Sequence, residues 1–279
     1  MNYRHAYHAG NHADVLKHIV LALVLDHMMA KEKPFLFLDL HAGAGVYALD
    51  GVAAAKTGEW QSGVGKLWNA KLGHEELIAP WRRAVAAVNS APELRRYPGS
   101  PALAAHLMRA GDRLVLGELH PADHAELALY LGSDARVRVL AEDAAIAIKA
   151  HLPPPERRAV ILIDPPYELK DEAERALRML AQGVRRFATG QFLLWYPITG
   201  DGLEAKIKAG LAALALPDLI TAELLIRTPR PFGGLAGSGL AIVNPPWRLS
   251  AQLHLLLPEL ASLLGSSLDA RWSVNSSLP

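Results

Sequence analysis

Ala159-Val160-Ile161-Leu162-Ile163-Asp164-Pro165-Pro166-Tyr167 carries the strongest structural signal in the chain. Five consecutive apolar residues, mostly β-branched, read as a buried strand. The two prolines then forbid both continuation of the strand and an immediate helix. An acid and an aromatic ring are therefore predicted on a stiff turn at a strand's C-terminal end. In open α/β sheets that edge is where ligands bind. The pairing suits one chemical task, holding a flat, weakly nucleophilic amino group beside an electrophile.

Outward from this stretch, strands alternate with helices. Upstream, a helix is predicted over 15–30 and a strand over 35–40, followed by the glycine turn His41-Ala42-Gly43-Ala44-Gly45. Further strands are predicted over 113–119 and 137–140, with helices over 102–109 and 122–131 and another from Asp143. Downstream come helix 171–186, strand 190–196, helix 202–214, strands 219–227 and 239–243, and helix 249–264. The pattern is that of a doubly wound, mostly parallel sheet of about seven strands, the last two an antiparallel pair at the edge. Residues 52–97 show no convincing strand and exceed one crossover connection. They are read as a helical subdomain inserted into a domain formed by 1–51 and 98–279. The tail after Ser266 is polar and expected to fray.

Bulk properties narrow the function classes. The chain has 279 residues, 51% hydrophobic and 20% charged, enough to bury a large core. It contains no cysteine, which excludes disulfides, thiolate metal sites and thiol nucleophiles. The N-terminus is polar and His-rich, unlike a signal peptide, and no apolar run reaches the roughly 18 residues a membrane span needs. A soluble, cytoplasmic, monomeric protein without a membrane partner is the expectation. A net charge of +1 neither demands nor excludes nucleic acid, because distribution matters more than the sum. Basic pairs at Arg82-Arg83, Arg95-Arg96, Arg157-Arg158 and Arg185-Arg186, with Arg227 and Arg230 flanking a turn, read as solvated surface.

Carboxylates recur at the predicted strand ends. Gly43 and Gly45 let a ligand approach the first turn closely, but with Ala48 in the third place they form no dinucleotide fingerprint. Glu118 closes the second strand, where related folds place the acid that binds ribose hydroxyls. Asp143 lies past the third strand, suited to an exocyclic amine, and Asp164 ends the fourth. Any one of these acids could be a helix cap or a surface residue. Together they suit a cationic cofactor such as the sulfonium of S-adenosyl-L-methionine and would repel a diphosphate. A second tetrapeptide, Asn244-Pro245-Pro246-Trp247, also follows a strand. Chain order favours Asp164 as the reactive one, since it follows both cofactor acids.

The arrangement resembles the S-adenosylmethionine-dependent amino-methyltransferases, whose glycine motif looks like residues 39–45 and whose catalytic tetrapeptide has the D/N-P-P-Y/F/W pattern. The resemblance implies a Rossmann-like class I methyltransferase fold and direct methyl transfer to an exocyclic nitrogen. Hydrogen bonds from the amine to the Asp164 carboxylate and the Pro165 carbonyl would favour a more nucleophilic nitrogen. Tyr167 would stack on the base, worth about 1–3 kcal/mol.

The segment Tyr3-Arg4-His5-Ala6-Tyr7-His8-Ala9-Gly10-Asn11-His12-Ala13-Asp14-Val15-Leu16-Lys17-His18 narrows this further. Its histidine spacings are irregular for a metal site, and none is expected. Stacking rings beside Arg and Lys suit RNA, and an arm packed on the domain is the alternative. With Tyr97-Pro98-Gly99-Ser100-Pro101, Glu118-Leu119-His120-Pro121 and Trp195-Tyr196-Pro197, this block is similar to the RlmJ family of bacterial 23S rRNA adenine-N6 methyltransferases. The resemblance implies that His18, His41, Gly43, Ser100, Glu118, Asp143, Ala144 and Asp164 bind the cofactor. Asp164, Pro165 and Tyr167 would be catalytic, and Tyr3 and Lys17 would meet the target nucleotide. Ala144 stands where a glycine is expected, which a backbone contact tolerates. The partner implied is 23S rRNA, bound in a salt-sensitive manner by a local basic face. The same chemistry on DNA adenine or a protein glutamine, or a catalytically silent RNA-binding protein, are the competing readings.

Overall fold

The computed structural model of the protein describes residues 4–90, 93–216, 218–266 and 268–277. After a 3-10 turn at His5–Tyr7 come α1 (His12–Met29), β1 (Leu36–Asp39) and β2 (Val46–Ala48). Four helices follow, α2 (Val52–Thr57), α3 (Glu59–Ser62), α4 (Val64–Asn69) and α5 (Glu75–Ala87), then β3 (Arg96–Pro98) and α6 (Ser100–Leu107). The alternating region holds β4 (Arg113–Gly117), α7 (Pro121–Leu131), β5 (Val137–Leu140), α8 (Ala144–His151), β6 (Ala159–Ile163), α9 (Glu172–Arg186) and β7 (Gln191–Ile198). It closes with α10 (Leu203–Ala213), β8 (Leu219–Leu225), β9 (Gly237–Val243), α11 (Leu249–Leu264) and β10 (Arg271–Ser277).

The main sheet has the order β10-β8-β9-β7-β6-β1-β4-β5. Strands β5, β4, β1, β6 and β7 are mutually parallel, with Leu38 of β1 level with Val115 of β4 and Ile161 of β6. Their C-terminal ends therefore share one edge. Chain order reverses between β1 and β6, which puts the crevice of a doubly wound fold at that edge. The sheet is covered on both faces, as parallel sheets are. Val160 and Leu162 face a core shared with α1, α5, α6, α7 and α11. Ala159, Ile161 and Ile163 face a second core shared with α8, α9 and α10. Helix α1 is buried almost all round rather than on one stripe. It begins three residues earlier than predicted, because the Asn11 side chain caps the amides of Ala13 and Asp14 at 2.9 and 3.0 Å.

Several expectations need correction. Among the described residues the main sheet has eight strands, and two more pair separately. Residues 271–277 of the tail form a strand: β10 pairs antiparallel with β8, and Trp272 and Val274 pack on the core. Its serine and asparagine positions hid a period-two apolar pattern. The pair β8 and β9 is antiparallel, but β9 lies inside the sheet between β7 and β8 rather than at the edge. Within 52–97 the tip of the stretch is not strandless. Arg96–Pro98 pairs with Val46–Ala48, so the helical stretch leaves and returns through a two-stranded neck. Helices α4 and α5 contribute Val64, Leu67, Ile78 and Trp81 to the same core as α1. Among the described residues, no helix is long and apolar enough to cross a membrane.

The antiparallel direction of β9 separates the two proline tetrapeptides. Val243 sits opposite Phe192 at the start of β7, so Asn244 emerges at the edge opposite Asp164. There its Nδ2 donates to the carbonyls of Ala188 and Gly190, both at 2.7 Å, with φ of 53°. Asparagine tolerates that left-handed conformation better than most residues. Asn244→Ala removes both bonds. It is expected to lower stability by about 1–3 kcal/mol in thermal or urea unfolding, while ligand binding at the opposite edge is unchanged.

Candidate active site

The C-terminal edge opens into a cavity of about 700 Å³, within the usual range for small-molecule sites. Every described residue assigned from the sequence to the cofactor, the substrate or catalysis lines it: Lys17, His18, His41, Gly43, Ser100, Glu118, Asp143, Ala144, Asp164, Pro165 and Tyr167. Tyr3 lies outside the described residues.

Asp164 leaves β6 directly into the two prolines. Its Oδ2 accepts a 2.6 Å hydrogen bond from Lys17 Nζ, which also meets Asp14 Oδ1 at 2.9 Å. Lys17 and Asp14 are buried, and Asp164 is 15% exposed at the cavity wall. Burial by itself would discharge the Lys17 ammonium, but the two carboxylates overcome it and hold the pKa well above that of an ordinary lysine. Asp14 is likewise buried, yet His5, Lys17 and His18 hold its carboxyl well below the ordinary range. Asp14 Oδ2 also accepts from the Gly10 amide, and lies 2.9 Å from His5 Nε2. Lys17 thus joins the first helix to the C-terminal end of β6.

His41 follows β1. Its Nδ1 accepts the Asp164 backbone amide at 3.2 Å, which places the ring proton on Nε2. Burial lowers its pKa to about 4, so the ring is neutral near pH 7. Glu118, just past β4, accepts from the amides of Gly43 at 2.8 Å and His120 at 2.6 Å, and so shapes the glycine turn. Gly43 has φ of 64°, and a Cβ there would meet the Tyr47 hydroxyl at 2.2 Å. Only glycine fits this turn. Asp143 caps α8 through the Ala145 amide at 2.9 Å, placing Ala144 in the helix's first turn.

Tyr167 also has a left-handed backbone, φ 54°, and its hydroxyl donates to the Trp195 carbonyl at 2.7 Å. The ring is therefore held at a fixed angle beside Trp195, centroids 5.9 Å apart. Trp195 Nε1 is buried without an acceptor among the described residues, and the residue lines the cavity. A buried donor without a partner next to a cavity marks a place for a ligand acceptor.

The four N-terminal histidines do not converge. His5 meets Asp14, His8 meets Glu59, His12 is buried, and His18 lies 2.9 Å from the Tyr97 hydroxyl. The described part of the segment packs as the start of α1 rather than standing free. Asp14, which holds Lys17 at 2.9 Å, is a site residue that the sequence patterns left unassigned. The i, i+3 spacing of Asp14 and Lys17 was the available signal. Tyr47 and Trp195 were not assigned to the site.

Asp39, fully buried at the end of β1, accepts from Ser100 Oγ at 2.6 Å and from the His41 amide at 3.2 Å. Burial raises its pKa to about 7 despite these bonds. The folded protein therefore keeps this proton more tightly than the unfolded chain, whose aspartate titrates near 4. The stability it confers is full below about pH 4 and is lost as pH rises through about 7. Asp39→Asn is expected to flatten the fall in stability between pH 5 and pH 8, read by urea unfolding at each pH. An unchanged profile would refute the assignment.

Comparison with known proteins gives the family of the chain. Residues 32–276 match the family described as "Ribosomal RNA large subunit methyltransferase D, RlmJ". A Haemophilus influenzae protein named ribosomal RNA large subunit methyltransferase J is 41% identical over 275 residues, 98% of each chain. An Escherichia coli protein of the same name is 42% identical over 264 residues, covering 95% of this chain and 94% of that one. A crystal structure of a Legionella pneumophila protein superposes with a TM-score of 0.88 at 30% identity, covering 98% of this chain and all of that one. On sequence and fold together, the chain belongs to the RlmJ family.

Proposed function

We propose that this protein transfers a methyl group from S-adenosyl-L-methionine to the N6 amine of an adenine in 23S rRNA. The observation that carries the reading is the Asp164-Pro165-Pro166-Tyr167 turn set into a cavity ringed by Glu118, Asp143 and the Gly43 turn. Family membership and the names of the two bacterial relatives support the RNA substrate.

The residues present fit the cofactor. Glu118 offers a carboxylate for ribose hydroxyls beside a glycine turn that no Cβ could occupy. Asp143 and the first turn of α8 suit the adenine edge, and the three acids suit a cation rather than a diphosphate. His18, His41, Ser100 and Ala144 complete the wall. When bound, S-adenosyl-L-methionine supplies an electrophilic methyl group.

The chain's own residues act on the amine. Lys17 occupies Asp164 Oδ2, and Oδ1 accepts no hydrogen bond among the described residues. Oδ1 and the Pro165 carbonyl are then the acceptors for the two amine hydrogens, which favours a pyramidal nitrogen with its lone pair free. Tyr167, fixed through its hydroxyl, stacks on the base. The main effect is alignment, with Asp164 available to receive the released proton. Tyr3 and Lys17 belong to the substrate side in this reading, Lys17 by holding Asp164 in place.

The protein is read as a monomer, and a cytoplasmic location follows from the RNA substrate. The helical stretch 52–97, entered through its two-stranded neck, is read as the inserted subdomain of the 1–51 and 98–279 methyltransferase domain.

Asp164→Ala is expected to lower methyl transfer to protein-free 23S rRNA by at least 10²-fold, measured with tritiated cofactor and nuclease mapping of the label. Asn244→Ala, on the opposite edge, should retain turnover. Retained turnover in Asp164→Ala would sink the assignment, and label in DNA with none in rRNA would overturn the substrate. Glu118→Ala is expected to weaken cofactor binding roughly 10- to 100-fold by calorimetry, the cost of a lost charged hydrogen-bond acceptor.

A further inference from the structure

The turn joining β8 to β9 rises from the same sheet edge as Asp164. Gly237 at the start of β9 is level with Ile198 at the end of β7, and the Ala236 amide donates to the Ile198 carbonyl at 2.9 Å. Gly234 and Leu235 line the mouth of the cavity. The turn is fastened from below. The Gly233 amide donates to the Arg230 carbonyl at 2.9 Å, and the Arg227 guanidinium donates to the carbonyls of Gly233 and Leu235. Gly200 lies against it so closely that a Cβ would meet the Arg230 amide nitrogen at 2.8 Å.

At the tip of this fastened turn stands Phe232, fully exposed, with a left-handed backbone of φ 57°. A phenylalanine in that conformation is strained, and its ring in water gains nothing from the fold. Residues 229–235 contain Arg230 and no acid. Among the described residues the other exposed large aromatics are Tyr130, whose hydroxyl lies 3.0 Å from His106 Nε2, and Trp247. Trp247 lies on the opposite edge beyond Asn244, and the Arg248 guanidinium covers its ring at 4.4 Å.

We propose that the β8–β9 turn is an RNA-positioning element in which Phe232 stacks on a base flanking the target adenine and Arg230 meets the adjoining phosphate. The inference rests on the RNA-methyltransferase reading above. An adenine whose amine must reach Asp164 has to leave its neighbours at the cavity mouth, unstacked on one side. An aromatic face offered there replaces the lost stacking for any base, and an arginine beside it tracks the backbone. Phe232 is thus a positioning residue for the substrate strand and takes no part in the transfer itself.

The test compares steady-state methyl transfer to in vitro transcribed 23S rRNA by the wild type and variants of the full chain. Phe232→Ala should raise KM for RNA roughly 5- to 150-fold, the equivalent of one base–aromatic stack, with kcat and cofactor affinity by calorimetry retained. Phe232→Trp should restore KM, and its added emission should be quenched by RNA relative to the wild type. Arg230→Gln should reduce the slope of log affinity against log salt by about 1. Trp247→Ala should leave KM unmoved. An unchanged KM in Phe232→Ala, or a fall confined to kcat, overturns the proposal while the methyltransferase reading stands. A wild-type protein that labels no RNA overturns that reading and this one with it.

Discussion

A buried ammonium between two carboxylates ties the molecule together. Lys17 comes from the first helix, Asp14 from one turn earlier, and Asp164 from the end of a central strand. Desolvation alone would discharge Lys17 and Asp14, and the opposite charges beside them keep both charged. Removing one partner of such a set leaves an uncompensated buried charge, which costs about 3–5 kcal/mol. The N-terminal helix is therefore tied to the Asp164 strand end by electrostatic necessity. Its Asn11 cap, its contact from Gly10 to Asp14, and its all-round burial serve to hold one ammonium at one place.

The sheet supplies the second constraint. Four of the parallel strands, β1, β4, β5 and β6, deliver Asp39, Glu118, Asp143 and Asp164 to one edge, the last three lining a single cavity and Asp39 buried beside them. Two proline tetrapeptides of similar composition end up at opposite edges because β6 and β9 run in opposite directions. One becomes a ligand-facing turn in which Tyr167 is locked to the Trp195 carbonyl. The other becomes a clasp in which Asn244 holds the entry to β7.

Legibility differed by element for physical reasons. Strands buried on both faces, such as Ala159–Ile163, announce themselves as apolar runs, and helix Leu249–Leu264 falls where its periodicity puts it. Strand Arg271–Ser277 was missed because its inward positions are two, Trp272 and Val274, among serines and asparagine. Strand Arg96–Pro98 was missed because three residues carry no periodicity, and its existence depends on Val46–Ala48 lying beside it. In the site, glycines and acids at strand ends were legible because the chemistry of a turn or a cation demands those residue types.

The sequence by itself determined the alternation of strands and helices, the residue types at each strand end, and the family whose motifs they match. Those follow from local sterics and from which groups can meet a cationic cofactor and an aromatic amine. Only the tertiary structure decided which groups meet. It paired Lys17 with Asp164 across 147 positions of chain, sent Asn244 to the far edge, and raised Phe232 beside the cavity. Long-range pairing and strand direction are set by the packing of the whole sheet, and no local pattern in the chain encodes them.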